Sequence, residues 1–300
     1  MFVRRNPDSA KDRSRRQEAD EIRRFFIAGL YKVAEEVERN PRKYSPFSTS
    51  AKVPMTVWGD IEFEFYKRPG SLGWAAVVTP LSEEPAALSA LDYLKNLKGA
   101  QGSPQARHEP IFTLRLVGKT PTFDVGGETH QVAGEMKSGE RVMELYGLED
   151  LLGRPFGQGS LVEAALDSAD LLDDALRLTF THEYAHWQNS WRISPEAHNA
   201  SVLKAEKSMR GYEEDPDEFD ARYHATLSRI EDLLYRQPGA SLRVLGKGFD
   251  SFVNTARKHG SEQLAINLEP GNPLYRHAIK RLHGDYRRLR EEYAYALEKK

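Results

Sequence analysis

The sequence predicts an α+β protein, a small sheet followed by a helical half, and three observations carry that expectation. Short alternating apolar segments, separated by glycine-containing turns, fill residues 53–146. From residue 160 onward the spacing of apolar residues becomes helical, with capping residues at the expected starts. Between the two regimes stands His182-Glu183-Tyr184-Ala185-His186, two histidines four residues apart inside a helical stretch.

Taken in order, residues 14–39 read as a highly charged helix with Ile22, Phe25, Phe26, Leu30 and Val33 on one side. Residues 46–54 read as a linker. Residues 53–58 and 61–66 alternate like paired strands around Gly59-Asp60, a good tight-turn pair. Residues 74–79 could extend that sheet, and 88–97 form a short helix. The stretch 98–110, with Gly99, Gly102 and Pro104, is the best boundary candidate and divides the chain into 1–104 and 105–300. Strands are expected at 111–117, 122–125, 129–133 and 142–146, with turns at Gly126-Gly127 and Ser138-Gly139. After a connector at 153–159, Ser160 and Glu163 make a capping box. The motif helix covers 171–191 and should end before Ser194-Pro195. A further helix starts at Asp215-Pro216, N-cap and first helical residue, and runs to about Tyr235. A basic helix over about 274–299 closes a mostly helical remainder.

The motif's spacing is what a metal requires. Residues i and i+4 lie one above the other on a helix, so two imidazole nitrogens can meet one Zn²⁺ at about 2.0–2.1 Å. Glu183 follows the first histidine, so its carboxylate can reach an activated water without taking a coordination position. The competing reading is two solvent-facing histidines with an incidental glutamate between them. It sits badly with the uncharged, partly aromatic neighbours Thr179, Phe180, Thr181, Tyr184, Ala185 and Trp187.

This stretch resembles the zincin metallopeptidases, with Gln188 standing where their longer signature usually has an apolar residue. The third ligand sorts the subclass. The metzincin form is excluded, because Asn189 takes the place of its glycine and Arg192 that of its third histidine. The gluzincin arrangement takes a glutamate from a later helix. The run Asp215-Pro216-Asp217-Glu218-Phe219-Asp220-Ala221-Arg222 looks like the glutamate helix of gluzincin-like families, and Glu218 is its candidate ligand. Glu218 also stands three residues past Asp215 and could be a capping-box glutamate, with Glu213, Glu214 and Asp220 as other ligand candidates. Tyr212, Tyr223 and His224 are near enough in sequence to steady an oxyanion, and nothing ranks them. The resemblance implies a zincin-like metallopeptidase domain over 105–300: a small sheet, an active-site helix and a helical lower lobe. A smaller α/β region over 1–104, of unknown role, precedes it.

Composition narrows the partners. Hydrophobic residues are 39%, charged residues 29% and the net charge is −2, so no global field favours nucleic acid or anionic lipid. The absence of cysteine excludes disulfides and thiolate ligands, leaving histidine and carboxylate for zinc. No apolar run is long enough to span a membrane, and the arginine-rich first twenty-four residues lack the apolar core of a secretory signal. A cytoplasmic protein, or one packaged in an assembly, is expected. Residues 276–300 hold eight Lys/Arg against four Asp/Glu, but the signs interleave, as on a solvated helix face rather than a phosphate track. Nucleic acid is therefore not the expected partner; a protein or peptide substrate is.

The expected function is zinc-dependent peptide hydrolysis, with His182, His186 and Glu218 as ligands and Glu183 as general base. The alternative is a catalytically vestigial or self-processing zincin-fold structural or binding protein of a virus particle or mobile element.

Overall fold

The computed structural model describes residues 15–29, 47–55, 59–67, 74–81, 112–117, 120–125, 128–137, 142–146, 176–190 and 215–298. Two compact units emerge: a helical one of Met1–Gln17 with Glu196–Lys300, and a sheet-containing one of Glu18–Pro195. Helix α1, residues 15–29, contributes its first three residues to the helical unit and the rest to the other.

In the sheet unit, strands β1 (Phe47–Met55), β2 (Gly59–Lys67), β3 (Trp74–Pro80), β4 (Phe112–Leu116), β7 (Gly134–Lys137) and β8 (Val142–Leu145) form one six-stranded sheet. Its order is β1-β2-β3-β4-β8-β7. Strands β5 (Thr122–Val125) and β6 (Glu128–Gln131) make a separate antiparallel pair. All neighbours in the large sheet are antiparallel except β4 and β8. Strands from both sides of residue 104 thus share one sheet, through the β3–β4 pair.

Period-two alternation explains which face is dry. Ile61, Phe63 and Phe65, with their register neighbours Ala76, Val78, Leu114, Leu116, Met143 and Leu145, are all buried. Phe26 of α1 stacks on Phe65, with centroids 6.1 Å apart, so α1 covers that face and buries Ile22 and Ile27 as well. The opposite face is polar. There Glu144 receives Arg115 at 3.0 Å, Lys137 at 2.9 Å and the Tyr146 hydroxyl at 2.7 Å.

Three expectations need correction. Residues 46–54 are not a linker but lie mostly in β1, and Ser-Thr-Ser-Ala lacks the apolar alternation that would have announced a strand. As an end strand, β1 also tolerates Pro54. Gly59-Asp60 do not form the turn: the β1–β2 register pairs Met55 with Gly59, so the link is 56–58, outside the described residues. Gly59 opens β2 at a left-handed φ of 68°, which is what its glycine supplies. The strand expected at 129–133 is β6, but the sequence reading has no counterpart for β7, which starts at Gly134. The expected helix 88–97 and the capping box at 160 fall outside the described residues.

The helical unit packs α3 (Pro216–Arg236), α4 (Ala240–Val244), α5 (Phe249–His259), α6 (Glu262–Asn267), α7 (Tyr275–Glu292) and α8 (Ala294–Glu298). Phe219, Tyr223, Leu227, Ile230 and Leu234 repeat at helical spacing along α3. They join Phe252 and Ala256 of α5 and Leu282, Tyr286 and Leu289 of α7 in one core. The basic C-terminal helix is broken at Tyr293, which caps α7 before α8 begins.

Candidate metal centre

Helix α2, residues 176–190, carries the motif, and its flanks explain why it is a helix in this place. Phe180, Thr181, Tyr184, Ala185, Trp187, Gln188, Asn189 and Ser190 are all buried. Phe180 and Tyr184, one turn apart, stack with centroids 5.7 Å apart. The Tyr184 hydroxyl donates to the buried Glu18 of α1 at 2.6 Å, and Arg177 lies 3.7 Å from Asp20. The motif residues themselves keep partial access: His182 and His186 are half-buried, whereas Glu183 is 6% exposed.

Their separation would allow them to share one ion or one hydrogen bond. The two Nε2 atoms are 3.1 Å apart, with the rings edge-on at 81°. Two bonds of about 2.0–2.1 Å meeting at a tetrahedral angle place their nitrogens about 3.3 Å apart. The observed pair fits one ion without rearrangement of the helix. His182, His186 and Glu218 together make a group that could hold a metal ion, each offering one ligand atom, all within 4.8 Å of one another.

Glu218 comes from the first turn of α3. Asp215 is the N-cap, accepting from the Asp217 amide at 2.7 Å, and Pro216 opens the helix. One turn further on, the buried Arg222 donates to Glu218 Oε2 at 3.4 Å. Asp220, the neighbouring candidate, is committed elsewhere: Arg281 reaches it at 2.7 Å and Arg15 at 3.1 Å. Burial alone would raise the Asp220 pKa, but His224, Arg15 and Arg281 hold it well below the usual carboxylate range. Glu213 and Glu214 lie outside the described residues.

Two of the three oxyanion candidates have other roles. Tyr223 is fully buried, donates its hydroxyl to Asp285 at 2.6 Å and lies under the Arg281 guanidinium at 4.0 Å. Burial, then the Asp285 charge, pushes its pKa well up. His224 is buried beside Asp220, 3.5 Å away, and burial pushes its pKa down. Tyr212 lies outside the described residues.

Sequence reasoning missed one contributor, Gly134 at the start of end strand β7. A methyl group there would stand 2.6 Å from Thr179 Cγ2 and 2.9 Å from Glu183 Cγ. The strand can approach Glu183 this closely only because residue 134 has no side chain. The signal was present as an isolated glycine in a strand-like run, a mark of close backbone approach. Among the described residues, no helix is long and apolar enough to cross a membrane. Comparison with family models, curated proteins and solved structures finds no match to this chain.

Proposed function

We propose that the chain is a zinc-dependent peptidase of gluzincin type, in which His182, His186 and Glu218 hold the ion and Glu183 is the general base. The observation that carries the reading is the 3.1 Å approach of the two Nε2 atoms, with a buried glutamate between them in sequence. The donor set, two imidazoles and a carboxylate, is that of a three-ligand catalytic zinc site. When bound, zinc supplies Lewis acidity, which lowers the pKa of a water toward about 7 and polarises a peptide carbonyl. Glu183 takes the proton of the attacking water and returns it to the leaving amine. Glu183 is 6% exposed, so its carboxylate is largely withdrawn from bulk solvent. Strand β7 offers an end-of-sheet backbone at Gly134 beside that carboxylate, a suitable rail for an extended peptide that adds as a strand.

The test pairs metal analysis with hydrolysis of a generic denatured protein. Wild type should contain one zinc per chain, and His186→Ala should not. Glu183→Gln should retain zinc and lose hydrolysis by about 10²–10⁴-fold, the usual contribution of a positioned acid–base group. Zinc retained in full by His186→Ala would remove the site. Zinc bound by a wild type without hydrolysis would favour the vestigial, structural alternative.

A further inference from the structure

Folding sorts the interleaved charges of the C-terminal helix by face. Along α7, Arg276, Lys280, His283, Arg287 and Arg290 are exposed, and their alternating offsets of four and three residues keep them on one side. Most of the other charges of the helix are paired. Arg281 binds Asp220 and covers the Tyr223 ring; Arg288 binds Asp285 and Glu231; Asp285 is buried; and Glu292 is paired with Arg288 at 3.0 Å. Two carboxylates of α7 are exposed, both in the last turn: Glu292, which Arg288 neutralises, and Glu291. Among the described residues, Arg276, Lys280, Arg287 and Arg290 form no ion pair with any carboxylate. Like charges one turn apart destabilise a helix. The row therefore opposes the fold that carries it, although the protein as a whole is slightly acidic.

We propose that this face of α7 binds the phosphodiester backbone of a nucleic acid. From Arg276 to Arg290 the row extends about 21 Å at 1.5 Å per residue, the length of about six nucleotides of one strand at 3.4 Å each. Evenly spaced cations suit an evenly spaced polyanion, and three of the four permanent charges are guanidinium groups, which match phosphate oxygens in planar pairs. A lipid surface fits less well. The apolar side of α7, with Ala278, Leu282, Tyr286 and Leu289, is already buried in the helical core and has nothing to insert. An acidic protein fits less well too, because the exposed large apolar side chains among the described residues, Tyr235, Ile266 and Tyr295, all lie outside α7. The row thus has no dry centre to build an interface around. The inference stands independently of the metal centre.

The experiment is a fluorescence-anisotropy titration of the full chain with a labelled twenty-nucleotide DNA, single-stranded and duplex, between about 50 and 200 mM salt. Four phosphate contacts predict a log–log salt slope of about −3 for the single strand and about −3.6 for the duplex. The combined variant Arg276→Gln, Lys280→Gln, Arg287→Gln and Arg290→Gln should weaken binding at least about tenfold at the low-salt end and flatten the slope toward zero. The wild-type slope is a readout that does not depend on the variant folding. Failure to bind at 50 mM salt, a wild-type slope near zero, or equal binding by the folded variant would overturn the proposal. So would tighter binding to phosphatidylserine vesicles or to polyglutamate than to either DNA.

Discussion

The motif helix α2 and the ionic network around Arg16 both bury polar groups, and they do so to opposite ends. In the helical unit Arg16 is 1% exposed and reaches Glu231 through two hydrogen bonds, at 3.0 and 3.1 Å, and Asp285 at 3.5 Å. Arg288 binds the same two carboxylates, and Tyr223 donates to Asp285. Every charge in that cluster meets its opposite. Burial would raise the Glu231 pKa, but Arg16 and Arg288 bring it down to about 2, so it remains ionised in the fold at any ordinary pH. In α2 two imidazoles face each other instead, and neither supplies the other with a counter-charge. A self-neutralised cluster holds a fold together, whereas two imidazole nitrogens 3.1 Å apart can either share a hydrogen bond or, with both lone pairs free, converge on a cation.

The largest effect expected from this contrast is on stability. Arg16→Met should cost about 3 kcal/mol, the low end for breaking a buried pair, because Arg288 still partners both carboxylates. Lys137→Met removes a contact of similar length, 2.9 Å to Glu144, but Lys137 is 31% exposed on the polar face of the sheet. That change should cost under about 1 kcal/mol. Urea midpoints of the two variants measure the difference. Equal losses would mean that Arg16 is no more than a surface pair.

A second, smaller effect separates Glu218 from Asp220, two residues apart on one helix. Zinc that binds only the folded state adds about 2.7 kcal/mol at a hundredfold excess over its dissociation constant. Melting with zinc and with chelator should therefore show a large shift in wild type and a small one in Glu218→Ala. Asp220→Asn should lower both melts in parallel, since its partners are Arg15 and Arg281. A full chelator shift in Glu218→Ala would return that glutamate to helix capping.

This contrast also explains what the sequence could reveal. The histidine pair was legible because its geometry is local: four residues on one helix fix the separation, whatever the rest of the chain does. The α3 start was legible for the same reason, since Asp215 and Pro216 act on the adjacent turn. The Arg16–Glu231 bond spans 215 positions, and no periodicity announces it. Helix α1 consequently read only as a highly charged helix with one apolar side, and nothing in it announced that Arg16, Glu18 and Arg23 are buried. The sorting of α7 charges was hidden likewise, because which arginine turns inward depends on Asp220, Glu231 and Asp285 being there to meet it. In the sheet, β3, β5 and β8 followed from alternation, whereas β1 and β7 are held by their neighbours' register more than by their own residues.

The smallest expected effect probes whether strand and motif helix must touch. Gly134→Ala places a methyl group 2.6 Å from Thr179 Cγ2, on a stiff β-branched side chain, and 2.9 Å from Glu183 Cγ. One of the two must move, at a cost of about 1–3 kcal/mol for an overpacked contact. Because His182 and His186 are not among the nearest atoms the methyl would meet, zinc content should be unchanged while kcat falls. Glu135→Ala, the next residue but on the polar face and half exposed, is the control and should change neither by much. A fall in kcat confined to Gly134→Ala would tie the position of β7 to that of the Glu183 carboxylate. Unchanged kcat and midpoint in Gly134→Ala would show that α2 holds Glu183 in place without the strand.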